Sequence, residues 1–194
     1  TVNASVERIL RQKYRLGLFD DAYAFLDEAR EQQTVKSAEL MALAREAATK
    51  SMVLLKNKDA LLPLSKNIKR IAVVGPLADN RAEVLGSWKA RGEDADVITV
   101  VQGLRNKLGT ATEVVYVRGC DFLDTKTNEF AQARQAAANA DVVIAVVGEK
   151  ALMSGESRSR AFLSLPGLQQ QLIDTLKTTG KPLVTVLMNG RPLT

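Results

Sequence analysis

At 194 residues, 46% of them hydrophobic, and with a formal charge of +5, the chain has the size and apolar fraction of one medium domain, or of one domain with an appendage. It has no histidine and a single cysteine, Cys120, which excludes a zinc site of the usual kind, a Ser-His-Asp triad and a Cys-His pair, and leaves carboxylates as the main acid–base groups. Basic and acidic residues are interleaved and aromatics are few, which predicts a solvated surface and no nucleic-acid partner; no apolar run approaches the roughly 20 residues of a membrane-spanning helix, so no membrane partner is expected.

Val6, Ile9, Leu10 and Tyr14 recur at helical spacing, and Gly17 closes an amphipathic first helix before Asp20 and Asp21. Residues 20–36, rich in Asp, Glu, Gln and Arg around the isolated Tyr23, Phe25 and Leu26, read as a linker lying over a surface. A second helix starts near Ser37, carries an apolar stripe of Leu40, Leu43, Ala44, Ala47, Ala48 and Met52, and ends by Asn57. From there strands and helices alternate. Strands are predicted at 70–74, 113–117, 142–147 and 182–188, and helices at 102–108, 128–139 and 168–176, the last introduced by Pro166 and Gly167 and stopped by Gly180. That order predicts an α/β fold with a mainly parallel sheet and right-handed crossovers. Thr1 in place of an initiator methionine, and a stop directly after a strand, predict that the segment belongs to a longer protein.

The run Val142 to Val147 is continuously apolar, as a strand covered on both faces must be, and Gly148 ends it. The following loop therefore begins at a carboxyl edge, where open α/β sheets bind ligands, and it carries Glu149, Glu156, Arg158 and Arg160. The arginines either clamp a substrate or hold the loop by pairing with Glu149 or Glu156. A loop glutamate such as Glu156 is by default a surface residue, although Gly155 and three nearby serines make its backbone mobile enough to reach a cleft. The turn after the first strand, Gly75-Pro76-Leu77-Ala78-Asp79-Asn80, lacks the glycines of a dinucleotide fingerprint or a P-loop, and Asp79 and Asn80 read as turn or helix-cap residues. Trp88, the only tryptophan, follows Gly86 and Ser87; it either stacks on a sugar or anchors its loop. Cys120, between Gly119 and Asp121, reads as a packed thiol.

Taken together, Asn3-Ala-Ser-Val-Glu-Arg-Ile-Leu, Gly17-Leu-Phe, Val53-Leu-Leu-Lys-Asn, Ile71-Ala-Val-Val-Gly-Pro, Gly86-Ser-Trp, Val146-Val-Gly-Glu, Ser154-Gly-Glu, Ser159-Arg, Leu165-Pro and Asn189-Gly-Arg-Pro resemble glycoside hydrolase family 3, in particular its bacterial periplasmic β-glucosidases. The resemblance implies a three-layer α/β sandwich over residues 37–194, incomplete at its C-terminus, preceded over residues 1–36 by the final helix of a (β/α)8 barrel and an interdomain linker. It implies a retaining, exo-acting β-glycosidase whose aspartate nucleophile lies in the absent barrel, with general acid/base Glu156 and Glu149 as the alternative. Trp88, Arg158, Arg160 and Glu149 form the implied substrate-binding set. Where some plant members carry a second aromatic after the tryptophan, this chain has Arg91 and Gly92, so a two-ring clamp is not implied.

The implied partners are a β-glucoside or oligosaccharide and the barrel of the same protein; a homodimer is compatible, and no cofactor or metal is required. The location implied is periplasmic or secreted. A flavodoxin-like module that binds carbohydrate or protein without catalysis is the alternative from the residues alone.

Overall fold

Every residue from Val142 to Gly148 is buried, and this strand is the second from one edge of a four-stranded, all-parallel sheet. The computed structural model describes all 194 residues. They divide into two compact units, Thr1–Asn57 and Lys58–Thr194. The first holds helices α1 (Val2–Arg15), α2 (Glu28–Thr34) and α3 (Ala38–Ser51). Residues 20–36, read from sequence as a linker, thus contain a two-turn helix. Asp27 caps α2 by accepting the Arg30 N–H at 2.9 Å, and Glu28 and Glu31 place negative charge in its first turn, which suits the helix dipole. The division after Asn57 also puts α3 in the first unit, whereas the sequence reading begins the second unit at residue 37.

In the second unit β1 (Arg70–Val74), α4 (Val100–Leu108), β2 (Glu113–Val117), α5 (Phe130–Ala138), β3 (Val142–Gly148), α6 (Gln169–Lys177) and β4 (Leu183–Met188) follow in alternation. The strands lie in the order β2-β1-β3-β4. Because side chains alternate along a strand, β1 and β3 each feed two cores. Ala72, Val74, Val143, Ala145 and Val147 pack with Phe130, Ala133 and Ala137 of α5 and Leu172, Ile173 and Leu176 of α6. Ile71, Val73, Val142, Ile144 and Val146 form the opposite core with Val101 of α4, Leu77 and Phe122. The sheet is therefore the middle of three layers, the α/β sandwich expected. Burying each Val, Leu or Ile stabilises this arrangement by roughly 1.5–3 kcal/mol. At the sheet edge β4 pairs only with β3, and Thr185 and Leu187 are exposed.

The strands match their sequence ranges to within a residue, while α4 starts two residues earlier than its apolar pattern. Thr99, buried, caps it by accepting the Gln102 N–H at 3.2 Å.

Two polar devices pin the ends of β3. At its start Asp141 accepts the N–H groups of Arg70 and Lys69, each at 2.9 Å, and these bonds hold its carboxyl below the usual carboxylate range. At its end β1 has already stopped pairing, and the buried amide of Gln169 takes the place of a strand. It accepts the Gly148 N–H and donates to the Gly148 carbonyl, both at 2.8 Å, and donates to the Pro166 carbonyl at 3.1 Å.

Replacing Gln169 by Leu leaves the Gly148 peptide without partners and should destabilise the chain by about 1–3 kcal/mol, read as a lower urea midpoint with an unchanged m-value. The depressed Asp141 pKa contributes stability above the unfolded-state value near 4, and that contribution is lost as pH falls through the lower folded value. Asp141→Asn should therefore lose stability less steeply than the parent below about pH 4 in acid titrations followed by circular dichroism.

Candidate functional site

Strand order reverses between β1 and β3: from β1 the chain crosses to β2 on one side, and from β3 to β4 on the other. In open α/β sheets the crevice beyond the carboxyl ends of such a strand pair is the usual ligand site. Here the segment after β1, which carries Trp88, and the segment after β3, which carries Glu149, Glu156, Arg158 and Arg160, leave the sheet at that edge.

The β1 segment is tied down first. Asp79 accepts the hydroxyl of the capping Thr99 at 2.6 Å, and Asn80 accepts the Glu83 N–H at 3.0 Å, so both act as turn and cap residues. Glu83 then accepts the Ala151 N–H at 2.6 Å and links this segment to the one leaving β3. Beside that link the two loops touch. A methyl group added at Gly155, whose φ is +106°, would lie 2.6 Å from Ser87 Oγ and 3.5 Å from the indole nitrogen of Trp88. Only a residue without a side chain lets the Ser154-Gly155-Glu156 loop pass so close to Gly86-Ser87-Trp88. Trp88 itself is 73% exposed and makes no hydrogen bond, so its ring is an open apolar surface and not a buried anchor.

A third segment joins from β4. Gly190 runs against Ser154, where a methyl group would stand 2.2 Å from the serine hydroxyl. One residue on, Arg191 reaches Glu149. The Glu149 side chain is only 1% exposed and is held by two guanidinium groups: Arg160 Nη1 lies 2.7 Å from its Oε1, and Arg191 Nε lies 3.2 Å from Oε1 and 3.3 Å from Oε2. Arg160 also donates to the Ser164 carbonyl at 2.9 Å, and Arg191 to the Met153 carbonyl. Of the two arginine roles left open by the sequence, Arg160 takes the pairing role with Glu149.

Glu156 is different. It is exposed at the loop's outer turn, where the Arg158 N–H closes onto the Gly155 carbonyl at 3.2 Å, and its carboxylate has no ion pair or hydrogen bond. Arg158 is likewise exposed and unpaired. The structure thus gathers Trp88, Glu149, Glu156, Arg158 and Arg160 at one sheet edge but separates the two glutamates, one buried and neutralised, the other free.

Arg191 and Glu83 are missed by the sequence reading. Arg191 had a legible signal: β3 and β4 are parallel with Gly148 opposite Met188, and the Glu149 N–H bonds the Met188 carbonyl at 3.0 Å, so charges just past both strand ends emerge side by side. Glu83 had none, since its partner is a backbone amide 68 positions away. Cys120 is buried and plays no part in this edge; burial, followed by the nearby Asp124 and Asp121 charges, pushes its thiol up to about 12.

The model of the glycosyl hydrolase family 3 C-terminal domain matches residues 52–194. The chain is similar to a periplasmic beta-glucosidase of Salmonella typhimurium, 42% identical over 97% of this chain and 28% of that protein. It is similar to a beta-xylosidase of Formosa agariphila, 38% identical over 99% of this chain and 27% of that protein. The solved beta-glucosidase of Listeria innocua in complex with isofagomine superposes with a TM-score of 0.85 at 40% identity, over 96% of this chain and 25% of that one. The chain therefore spans little more than a quarter of the length of these relatives.

Trp88 offers a direct probe of the loop contact. Gly155→Ala forces a clash and a strained backbone, at a cost on the order of 1–3 kcal/mol, and should shift or dequench Trp88 fluorescence, whereas Gly180→Ala, far from the tryptophan in sequence, should leave the emission unchanged.

Proposed function

The chain belongs to glycosyl hydrolase family 3, and from that premise we propose that it is the part of a retaining, exo-acting β-glycosidase that supplies the general acid/base, Glu156, and a stretch of the leaving-group subsite around Trp88. One observation carries the choice of residue. Two glutamates follow β3, and Glu149 is buried between Arg160 and Arg191, while Glu156 is exposed, unpaired and free to meet a substrate.

Retaining hydrolysis uses two carboxyl groups roughly 5–5.5 Å apart on either side of the scissile bond. In this reading the attacking aspartate comes from a (β/α)8 barrel domain of the same protein, brought opposite the 149–160 loop. Glu156 first donates its proton to the glycosidic oxygen as the aglycone leaves. It then takes a proton from the water that attacks the glycosyl-enzyme, so one side chain acts as acid and then base. Trp88, open and apolar, offers a face for the departing group, because the apolar face of a sugar ring or aryl group stacks on an indole. Arg158 lies close in sequence and is available to hydrogen-bond hydroxyls of the same group.

The substrate in this reading is a β-glucoside or short oligosaccharide cleaved at its non-reducing end; the Salmonella and Listeria relatives are named beta-glucosidases, and the Formosa relative, named a beta-xylosidase, makes β-xylosides the comparison substrate. A periplasmic or secreted location follows from the same reading, supported by the name of the Salmonella protein.

The test is Glu156→Ala in the full-length protein. On a glucoside with a poor, alkyl leaving group kcat/KM should fall by about 10²–10⁴-fold. On a dinitrophenyl glucoside, which needs no proton to leave, it should change little, and azide should restore turnover by attacking the glycosyl-enzyme in place of activated water. Full activity on both substrates would remove Glu156 from the chemistry and leave the loop as a binding element only.

A further inference from the structure

Glu156 sits on a hoop of chain whose two feet are held by one buried group. On one side Arg191 donates to the Met153 carbonyl, three residues before Glu156; on the other Arg160 follows it by four residues. Both guanidinium groups converge on Glu149, and Arg160 is fixed again by the Ser164 carbonyl. The Glu149 backbone is itself anchored, because its N–H bonds the Met188 carbonyl at 3.0 Å and it follows directly on Gly148, which Gln169 clamps.

We infer that Glu149 is a positioning residue for the reaction: its carboxylate, gripped by Arg160 and Arg191, fixes both ends of the 153–160 hoop and thereby sets where the Glu156 carboxyl stands against the scissile bond. The inference rests on the reading of Glu156 as acid/base. Three features carry it. The carboxylate is 1% exposed and the arginines 19% and 18%, so the ions are screened from water and the pairing is not an incidental surface contact. Each arginine uses its planar fork twice, once on Glu149 and once on a backbone carbonyl, so that charge pairing and loop geometry are set by the same group. Between the feet, by contrast, the side chains of Glu156 and Arg158 have no partner, and the chain is held only by the Arg158 N–H bond to the Gly155 carbonyl and by the packing of Ser154 and Gly155 on Gly190 and Ser87. The placement of the Glu156 side chain therefore depends on how the ends of the hoop are held.

The chemistry gives a signature that loss of folded protein would not. A displaced acid/base slows aglycone departure only when the leaving group needs a proton, and slows attack by water on the glycosyl-enzyme with every substrate. With an activated aryl glucoside, formation of the intermediate stays fast and its breakdown becomes limiting, so kcat and KM fall together and kcat/KM is kept.

The experiment compares Glu149→Gln, Arg191→Lys and Glu156→Ala in the full-length protein on an alkyl glucoside and on dinitrophenyl glucoside. Glutamine keeps the shape of Glu149 without its charge; lysine keeps the charge of Arg191 without the fork that spans Glu149 and Met153. The expected result for both is a loss of about 100-fold in kcat/KM on the alkyl glucoside, the scale of a misplacement near 1 Å, with kcat and KM lowered together on the aryl glucoside. Equal loss on both substrates with unchanged KM, or wild-type kinetics, overturns the inference. If Glu149→Gln does not fold, Arg191→Lys decides by the same criteria. Where Glu156→Ala shows the leaving-group signature and the clamp variants do not, only the positioning role falls; where Glu156→Ala lacks it, the acid/base reading falls as well.

Discussion

A strand buried on both faces has no room for chemistry, and that constraint on β3 organises the second unit. From Val142 to Gly148 every side chain is apolar or absent, shared between a core with α5 and α6 and a core with Val101 of α4. An ionised group placed within it would lose its hydration with nothing to replace it. Polar function is therefore pushed past Gly148, to the first position where the sheet ends. The same limit acts on β1, which gives way at Gly75 to the segment that carries Trp88. Because these two strands flank the reversal in strand order, both segments leave the sheet at the same edge and meet there.

Glu149 stands at the boundary between those regimes. Its backbone is still in register with β4 while its side chain is the first charge after the buried run. Burying a carboxylate is unfavourable unless it is paired and its oxygens are satisfied, and two arginines meet both conditions here. Breaking such a group by removing one member generally costs several kcal/mol, since the remaining charges stay buried without partners. The arginines come from different segments, Arg160 from the far side of the loop and Arg191 from beyond β4, so a local electrostatic requirement becomes a tertiary constraint. Lysine would serve poorly at either place, having one compact charge where the geometry needs a planar donor set reaching two acceptors.

How much of this was readable from the chain follows the same physics. The inner strands β1 and β3 were legible to within a residue because burial on both faces leaves an apolar run, the edge strands β2 and β4 because they are still rich in Val and Leu, and the sheet edge of the candidate site was legible from the glycine ending β3. Helix starts were less so: α4 begins at Val100 because Thr99 caps it, a signal of one hydroxyl against an apolar pattern that only becomes regular later. The helix α2 was hidden because no apolar stripe marks it; apart from Ala29 its residues are polar, and its stability rests on the Asp27 cap and first-turn charge. Within the site, the sequence left Arg158 and Arg160 equivalent. Burial separates them, since Arg160 lies within reach of Glu149 and Arg158 faces solvent. Arg191 stood outside the candidate set because its relation to Glu149 depends on the parallel register of β3 with β4, which a linear pattern encodes only jointly.

The arrangement also explains why glycine and serine crowd the outer loop. Three segments meet over a small area, and Gly155 against Ser87 and Gly190 against Ser154 are points of close approach, where any Cβ would collide with a neighbour. Close convergence of backbones leaves little volume for side chains, so the large groups are sent either inward, as Glu149 with its arginines, or outward, as Trp88, Glu156 and Arg158. A proton-transferring carboxyl needs access to substrate and to water in turn, which the inward position denies and the outward one permits. The inward group can instead hold the frame. The difference in exposure between two glutamates seven positions apart thus follows from packing at the loop junction, and the same packing limits how far the outer one can wander.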